Sequence, residues 1–136
     1  MADTVKEASR QAVSELHALG VQTVMLTGDN SHTAETIAAQ VGTSRAHGGL
    51  LPEDKLQKIE ELVSTGTKVG MVGDGINDAP ALARADIGFA MGAAGADTAI
   101  ETADVALMDD DLRKIPAFIR LSKATSCVLQ QNFGLA

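Results

Sequence analysis

Aromatic side chains are nearly absent from this 136-residue sequence, which has three Phe and neither Trp nor Tyr. A core must therefore be built from Ala, Val, Leu, Ile and Met, a composition that suits parallel strands packed against helices. So few rings also leave little for stacking a nucleotide base. The length is that of one domain, large enough to form a core of its own.

Cysteine, excess positive charge and long apolar runs are lacking as well. The single cysteine, Cys127, excludes an internal disulfide framework, and this cysteine usage fits a protein of the reducing cytoplasm. No Cys/His cluster has the spacing of a zinc site. The net charge of −7 argues against a nucleic-acid partner and makes a divalent cation the more natural companion. No apolar run approaches the ~20 residues that span a bilayer, and the amino terminus lacks the order of a signal peptide. The chain as it stands is predicted to be soluble.

What the sequence does contain is organised around residues 68–82. The apolar run 68–72 is typical of a buried strand, and the Gly-Asp-Gly turn at 73–75 ends it. Asp74 is thereby expected at the carboxyl end of a strand, the edge of an open α/β sheet where ligands bind. A carboxylate in that position suits a hard cation such as Mg²⁺.

Asn77 and Asp78 follow within four residues of Asp74 and precede the next helix. The first turn of a helix favours acidic and capping side chains, so two carboxylates and an amide are expected in one small volume. For each residue alone, a turn or a helix cap is the more common role.

Alternating strands and helices predict a parallel α/β sheet with flanking helices. Cys127 falls on the last predicted helix, where it is interpreted as a small packed residue. Helices are predicted over 4–19, 31–40, 52–63 and 97–102, and a further helix begins at about Pro80. A last helix is predicted from Leu112 through the polar positions up to Asn132, with Asp109, Asp110 and Asp111 at its start. Strands are predicted over 21–26, 68–72, 86–91 and 105–108, and 42–49 is irregular or a very short strand.

Two further positions carry chemistry of their own. The Thr27 hydroxyl and the backbone at Gly28 lie at a strand end before a helix, where they can bind a phosphoryl oxygen; a helix-capping loop is the plainer interpretation. Lys55 is expected in the first turn of a helix, where the dipole disfavours a cation unless an anion compensates; a solvated lysine is the plainer interpretation there. The histidines have no partner at metal-ligand spacing and are interpreted as structural or surface residues: His17, His32 and His47.

The ten residues 73–82, Gly-Asp-Gly-Ile-Asn-Asp-Ala-Pro-Ala-Leu, resemble the hinge motif of P-type ion-transporting ATPases, whose phosphorylation domain belongs to the haloacid dehalogenase superfamily. The strings at 25–30, Met-Leu-Thr-Gly-Asp-Asn, and 51–55, Leu-Pro-Glu-Asp-Lys, occur in that family's order and rough spacing. The resemblance implies a Rossmann-like fold and assigns site roles. Thr27, Gly28 and Lys55 would bind the phosphoryl group, Asp74 and Asp78 would hold Mg²⁺, and Asn77 with Asp78 would support the site.

One departure from the family is decisive. The nucleophilic aspartate of the family's Asp-Lys-Thr-Gly-Thr sequence does not occur, so the resemblance implies the carboxyl-terminal half of a phosphorylation domain that forms no phosphoenzyme by itself. Residues 1–117 would be the partial phosphorylation domain, and 118–136 a helix leading toward an absent membrane span. The sheet is expected to lack its central strand, which exposes edges for a homodimer or for contact with a full-length pump.

The resemblance therefore implies part of a pump that couples ATP hydrolysis to heavy-metal export, on the cytoplasmic face of the plasma membrane. The tail from Met91 to Leu112 looks most like the zinc, cadmium, cobalt or lead branch, although the transported ion is left open. Two alternatives also stay open: a Mg²⁺- and phosphate-binding regulatory module, and a free-standing phosphatase with a substitute nucleophile among Asp3, Asp29 and Asp86. Whether Met1 is a natural start is also left open.

Overall fold

A computed structural model describes residues 2–73, 79–91, 103–107 and 112–131. Within these ranges helices and strands alternate along most of the chain. The helices are α1 (Ala2–Ala18), α2 (Ser31–Val41), α3 (Pro52–Ser64), α4 (Ala79–Arg84) and α5 (Ile115–Ser122), with a 3₁₀ turn at Leu112–Lys114; the strands are β1 (Gln22–Thr27), β2 (Arg45–His47), β3 (Val69–Gly73), β4 (Ile87–Met91), β5 (Val105–Leu107) and β6 (Ser126–Gln131).

The six strands form one sheet in the order β2-β1-β6-β3-β4-β5, and every neighbouring pair is parallel. The predicted parallel α/β sheet is therefore confirmed. Since all strands point the same way, their carboxyl ends share one edge, called the carboxyl edge below. Thr27 ends β1 and Gly73 ends β3 at this edge.

Side chains alternate between the two faces of the sheet because successive strand residues point in opposite directions. On β1, Met25 faces the helices α1 and α2, whereas Val24 and Leu26 face the side of α3 and α4. The first core packs Leu16, Ile37, Ile115 and Ile119 of α1, α2 and α5 against sheet residues such as Phe89 of β4. The second packs Ile59, Ala81 and Leu82 of α3 and α4 against sheet residues such as Met71 of β3.

The carboxyl-terminal region differs from the prediction. The helix predicted to run on from Leu112 is wrong beyond Ser122, where α5 ends with Lys123 in the left-handed conformation at φ 59°. The Ser122 hydroxyl accepts a hydrogen bond from the Ala124 N–H at 3.2 Å and so stabilises the turn. Strand β6 follows, which means that Cys127 lies on a strand and not on a helix.

Strand β6 lies between β1 and β3, so the gap expected in the centre of the sheet is filled in this structure. Its register runs from Gln22–Ser126 to Thr27–Gln131 on one side and from Val69–Ser126 to Val72–Leu129 on the other. The physical reason is burial. Cys127 and Val128 are both fully buried, one in each of the two cores, which is the alternation between opposite faces that a strand produces; a helix packed on one side would place both in the same core.

The remaining elements lie within one or two residues of their predicted bounds, and 42–49 contains the short strand β2. The helix predicted over 97–102 and the acidic helix start at 109–111 lie outside the described residues. No helix in the described ranges is long and apolar enough to cross a bilayer. The division of the chain after residue 117 stays a prediction.

Candidate functional site

The carboxyl edge gathers the ends of the strands that carry the predicted site residues. Thr27 ends β1, Gly73 ends β3, and β6 lies between them with Gln131 in register with Thr27. Gly73 is buried and directly precedes Asp74 in the sequence. Asp74, Asn77 and Asp78 themselves lie outside the described residues. The structure therefore shows the Thr27 and Lys55 side of the site.

Thr27 is fully buried at the start of a tight turn. Its hydroxyl oxygen accepts a hydrogen bond from the backbone N–H of Asp29 at 3.1 Å, a short-range bond that makes the chain turn back on itself. Asn30 then caps α2, because its side-chain oxygen accepts from the Thr33 N–H at 2.8 Å. The capping interpretation is thus correct for Asn30, and it leaves Thr27 at the buried end of the strand.

A second loop holds this turn in place. The Leu50 N–H donates to the Thr27 carbonyl at 3.1 Å, and the Gly49 N–H donates to the Asp29 carbonyl. Gly48 is packed so closely that a Cβ there would lie 2.8 Å from the Asp29 carbonyl oxygen and 2.9 Å from atoms of Asn30. Only glycine fits between these backbone groups. Sequence reasoning missed this role, and the Gly-Gly pair after the short strand was the signal that could have indicated it.

The loop leads directly into α3, whose first turn holds Lys55. Pro52 begins the helix, and the Leu51 N–H donates to the Asp54 carboxylate at 3.0 Å, which satisfies a backbone donor at the helix start. Lys55 is 3% exposed. The interpretation of Lys55 as a solvated lysine is therefore wrong. Its ammonium is buried close to the positive end of a helix dipole, and a nearby anion would stabilise a cation in that position.

Asp86, considered above as a substitute nucleophile, lies at the opposite edge of the sheet. Its carboxylate accepts a hydrogen bond from the Val69 N–H at 2.7 Å, at the start of β3. Asp104 repeats the arrangement one strand further on, accepting from the Gly88 N–H at 2.7 Å. Both aspartates therefore fix the amino ends of strands, and the phosphatase role considered for Asp86 is wrong.

The three histidines lie in different places: His17 is near the start of β1, His32 is on the surface, and the half-buried His47 ends β2 at the carboxyl edge. The His17 Nε2 lies 2.9 Å from the Thr23 hydroxyl and 3.2 Å from the Ser44 hydroxyl, which ties α1 to the start of β1. His32 is exposed on α2. Burial and the cations Lys58 and Arg45 lower the pKa of His47, while Glu61 acts in the opposite direction. In the part of the chain that the structure describes, no three His, Cys, Asp or Glu side chains are grouped to hold a metal ion.

A family model described as haloacid dehalogenase-like hydrolase matches residues 1–86. The chain therefore belongs to the haloacid dehalogenase-like hydrolase family, in agreement with its parallel sheet. A probable cadmium-transporting ATPase of Listeria monocytogenes is 56% identical over 133 residues, which cover 97% of this chain and 19% of that protein. A copper-exporting P-type ATPase of Staphylococcus aureus (strain JH9) is 49% identical over 132 residues, covering 97% of this chain and 16% of that protein.

A zinc-transporting PIB-type ATPase, solved in its E2.Pi state, is similar in structure as well as in sequence. It superposes with a TM-score of 0.73 at 50% identity, covering 84% of this chain and 18% of that one. The resemblance drawn from 25–30, 51–55 and 73–82 is thereby confirmed. The chain spans about a fifth of the length of the relatives it matches.

Proposed function

We propose that this chain supplies the Mg²⁺- and phosphoryl-binding half of the phosphorylation site of an ATP-driven heavy-metal pump, and that by itself it does not hydrolyse ATP. In the pump it would lie on the cytoplasmic face of the membrane, with ATP and a divalent heavy-metal cation as the ligands of the whole protein. The observation that carries the proposal is the burial of both Thr27 and Lys55, whose backbones are each hydrogen-bonded to the loop 48–51.

Phosphoryl binding is the role that these two residues fit best. The Thr27 hydroxyl can donate to a phosphoryl oxygen while it accepts from the Asp29 N–H, and the Lys55 ammonium supplies a compensating charge. Both groups are buried, so water screens them weakly and their interaction with an anion is strong. The helix α2 begins directly after this turn, and its first backbone N–H groups are further donors whose partial positive charge also favours an anion.

The donor chemistry of the sequence fits Mg²⁺. Asp74 and Asp78 would hold the ion, since hard cations prefer carboxylate oxygens, and Gly73 ends β3 at the carboxyl edge directly before Asp74. When bound, Mg²⁺ neutralises charge on the phosphoryl group. Asn77 would support the same site.

The proposed lack of ATP hydrolysis follows from the absence of the family's nucleophilic aspartate. The Asp-Lys-Thr-Gly-Thr sequence does not occur, and Asp86 is engaged at the opposite edge of the sheet. A dimer formed through an open central gap is not proposed, because β6 fills that position.

The test is calorimetric titration of the chain with inorganic phosphate, with and without Mg²⁺. We expect binding that requires Mg²⁺ and weakens ~10-fold or more in Lys55→Gln, since a charge-assisted contact is lost. Lys68→Gln is the matched control, because it removes the same charge from an exposed position directly before β3, at the opposite edge of the sheet. Thr27→Val should weaken binding and Thr27→Ser should retain it, which separates loss of the hydroxyl from loss of the fold.

Hydrolysis of ATP and of a small phosphomonoester is measured on the same proteins. We expect no Mg²⁺-dependent turnover above background in the wild type or in Asp74→Ala. Turnover that Asp74→Ala abolishes would overturn the silent-fragment proposal and direct attention to Asp29, which is exposed beside Thr27. Phosphate binding that does not depend on Mg²⁺, Thr27 and Lys55 would overturn the assignment of the site.

A further inference from the structure

A cavity of about 290 Å³ lies between β2 and α3, and neither Thr27 nor Lys55 lines it. Its apolar lining comes from Val24 and Leu26 of β1, Val128 of β6 and Leu62 of α3. At about 30 Å³ per water, the volume corresponds to roughly ten waters, so it suits a molecule of about eight non-hydrogen atoms. The cavity is therefore the size of a small organic molecule.

The polar side of the cavity is positively charged, although the whole chain carries a net charge of −7. Arg45 and Lys58 line it together with one acid, Glu61. The Glu61 carboxylate lies 4.0 Å from the Lys58 ammonium and so compensates that cation. Among the described residues, no carboxylate lies within ion-pair distance of Arg45. Arg45 is also exposed, so its guanidinium is accessible to an anionic ligand at the mouth of the cavity.

His47 lies beside Arg45 on the same wall of the cavity. Its imidazole has no hydrogen-bond partner among the residues that the structure describes, so a ring nitrogen is available as a donor. Burial and the two cations favour its neutral form, and a bound anion would reverse that preference. Arg45, Lys58 and Glu61 are the charged groups that face it from β2 and α3.

We propose that this cavity binds a small amphipathic carboxylate, with the carboxylate held by Arg45 and His47 and the hydrocarbon chain lying over Val24, Leu26 and Leu62. Arginine is suited to the first task because its planar guanidinium matches a carboxylate with two parallel hydrogen bonds. The apolar floor selects against inorganic anions, which have no hydrocarbon to bury. The site is separate from the proposed phosphoryl site.

The site is tested with hexanoate, which has eight non-hydrogen atoms, on the full chain. Proton NMR follows the imidazole resonances, with His47→Gln identifying those of His47. We expect hexanoate to shift the His47 resonances saturably, to raise the pKa of His47, and to bind more tightly as the pH falls from about 8 to about 6. Arg45→Gln should weaken binding ~10-fold or more, and Arg45→Lys should restore part of it.

Three controls make the outcome decisive. Arg120→Gln removes the same charge from an exposed position on α5, on the other face of the sheet, and should leave the dissociation constant unchanged. Hexanamide has the same hydrocarbon chain without the charge, and inorganic phosphate has charge without hydrocarbon; both should bind at least tenfold more weakly. Equal binding of hexanoate and hexanamide, equal binding of hexanoate and phosphate, or indifference to Arg45→Gln would each overturn the proposal. Unlike phosphate binding at the other site, hexanoate binding should not depend on Mg²⁺ or on Lys55.

Discussion

Thr27 and Gln131 lie in register across β1 and β6, at the point where both strands reach the carboxyl edge. Strand β6 comes last among the described strands, yet it pairs with β1 along six residues and with β3 along four. The buried threonine of the candidate site is therefore supported by a strand more than ninety residues further along the chain. The geometry of the site depends on how firmly β6 is held.

The central position of β6 predicts a large energetic role for Leu129, which is 6% exposed. Leu129→Ala should lower the free energy of unfolding by about 2–4 kcal/mol, because it leaves a cavity in the core. Leu121→Ala is the matched control, since Leu121 is 80% exposed at the end of α5 and its loss should change stability by less than about 0.5 kcal/mol. Urea denaturation measures both. Similar losses in the two variants would show that 126–131 is not a central strand.

The sequence predicted the alternation of elements because β1, β3, β4 and β5 are short, largely apolar runs between turn residues and helical periodicity; the three-residue β2, Arg-Ala-His, has no such run. The sequence pattern misplaced β6 for a local reason. Leu112, Ile115 and Ile119 are spaced as on a helix, and the polar Lys123 that follows does not by itself end that pattern. What ends the helix is a left-handed backbone at Lys123, and what makes the next segment a strand is the pairing available between β1 and β3. Pairing between distant segments is not visible in local periodicity.

The candidate site was predictable in part. Thr27 and Lys55 stand in strings long enough to be specific, and the structure buries both. The loop that holds the Thr27 turn was not predictable, because it depends on the close approach of Gly48 to the backbone of Asp29 and Asn30. In the sequence, such a contact between two backbone segments is indicated only by the presence of a glycine, which does not identify the segment that it contacts.

Gly48→Ala is expected to displace the Thr27 turn, because its Cβ would meet backbone atoms at 2.8–2.9 Å. The expected cost is about 1–3 kcal/mol of unfolding free energy, together with weaker Mg²⁺-dependent phosphate binding. Gly28→Ala is the control within the same turn, since its Cβ would lie 3.3 Å from the Leu50 carbonyl oxygen and should cost less than about 1 kcal/mol. Urea denaturation and calorimetry follow the two effects. If Gly48→Ala lowers the unfolding free energy no more than Gly28→Ala does, the loop 48–51 does not hold the Thr27 turn rigidly.

Asp86→Ala should destabilise the fold by about 1–3 kcal/mol, because the Val69 N–H at the start of β3 loses its side-chain acceptor. Glu35→Ala, on the exposed surface of α2, is the control for removing an acidic residue and should stay within about 0.5 kcal/mol of the wild type. Thermal and urea unfolding of the three proteins give the comparison. An unchanged stability in Asp86→Ala would contradict the structural role assigned to this carboxylate.

His47 makes stability depend on pH in a direction that the structure fixes. Its folded-state pKa is lowered below the ordinary 6.5, first by burial and then by Lys58 and Arg45, against the opposing effect of Glu61. Between those two pKa values the unfolded chain binds more protons than the folded one, so stability falls as the pH decreases through 6.5 toward the folded-state pKa. His47→Gln should reduce this slope in urea denaturation repeated across that range, whereas His32→Gln should leave the His47 contribution in place. A slope that persists unchanged in His47→Gln would contradict the assignment.

Cys127 provides a chemical test of the same strand. Full burial raises the pKa of its thiol to about 12, so at about pH 8 the thiolate fraction is on the order of one in ten thousand. We expect iodoacetamide to label the folded chain at least on the order of a thousand-fold more slowly than the urea-unfolded chain. Leu121→Cys in a Cys127→Ser background supplies an exposed thiol on the preceding helix and should react at nearly the unfolded rate in the folded protein. Rapid labelling of Cys127 under native conditions would mean that β6 leaves the sheet readily, and the support it gives to Thr27 would then be intermittent.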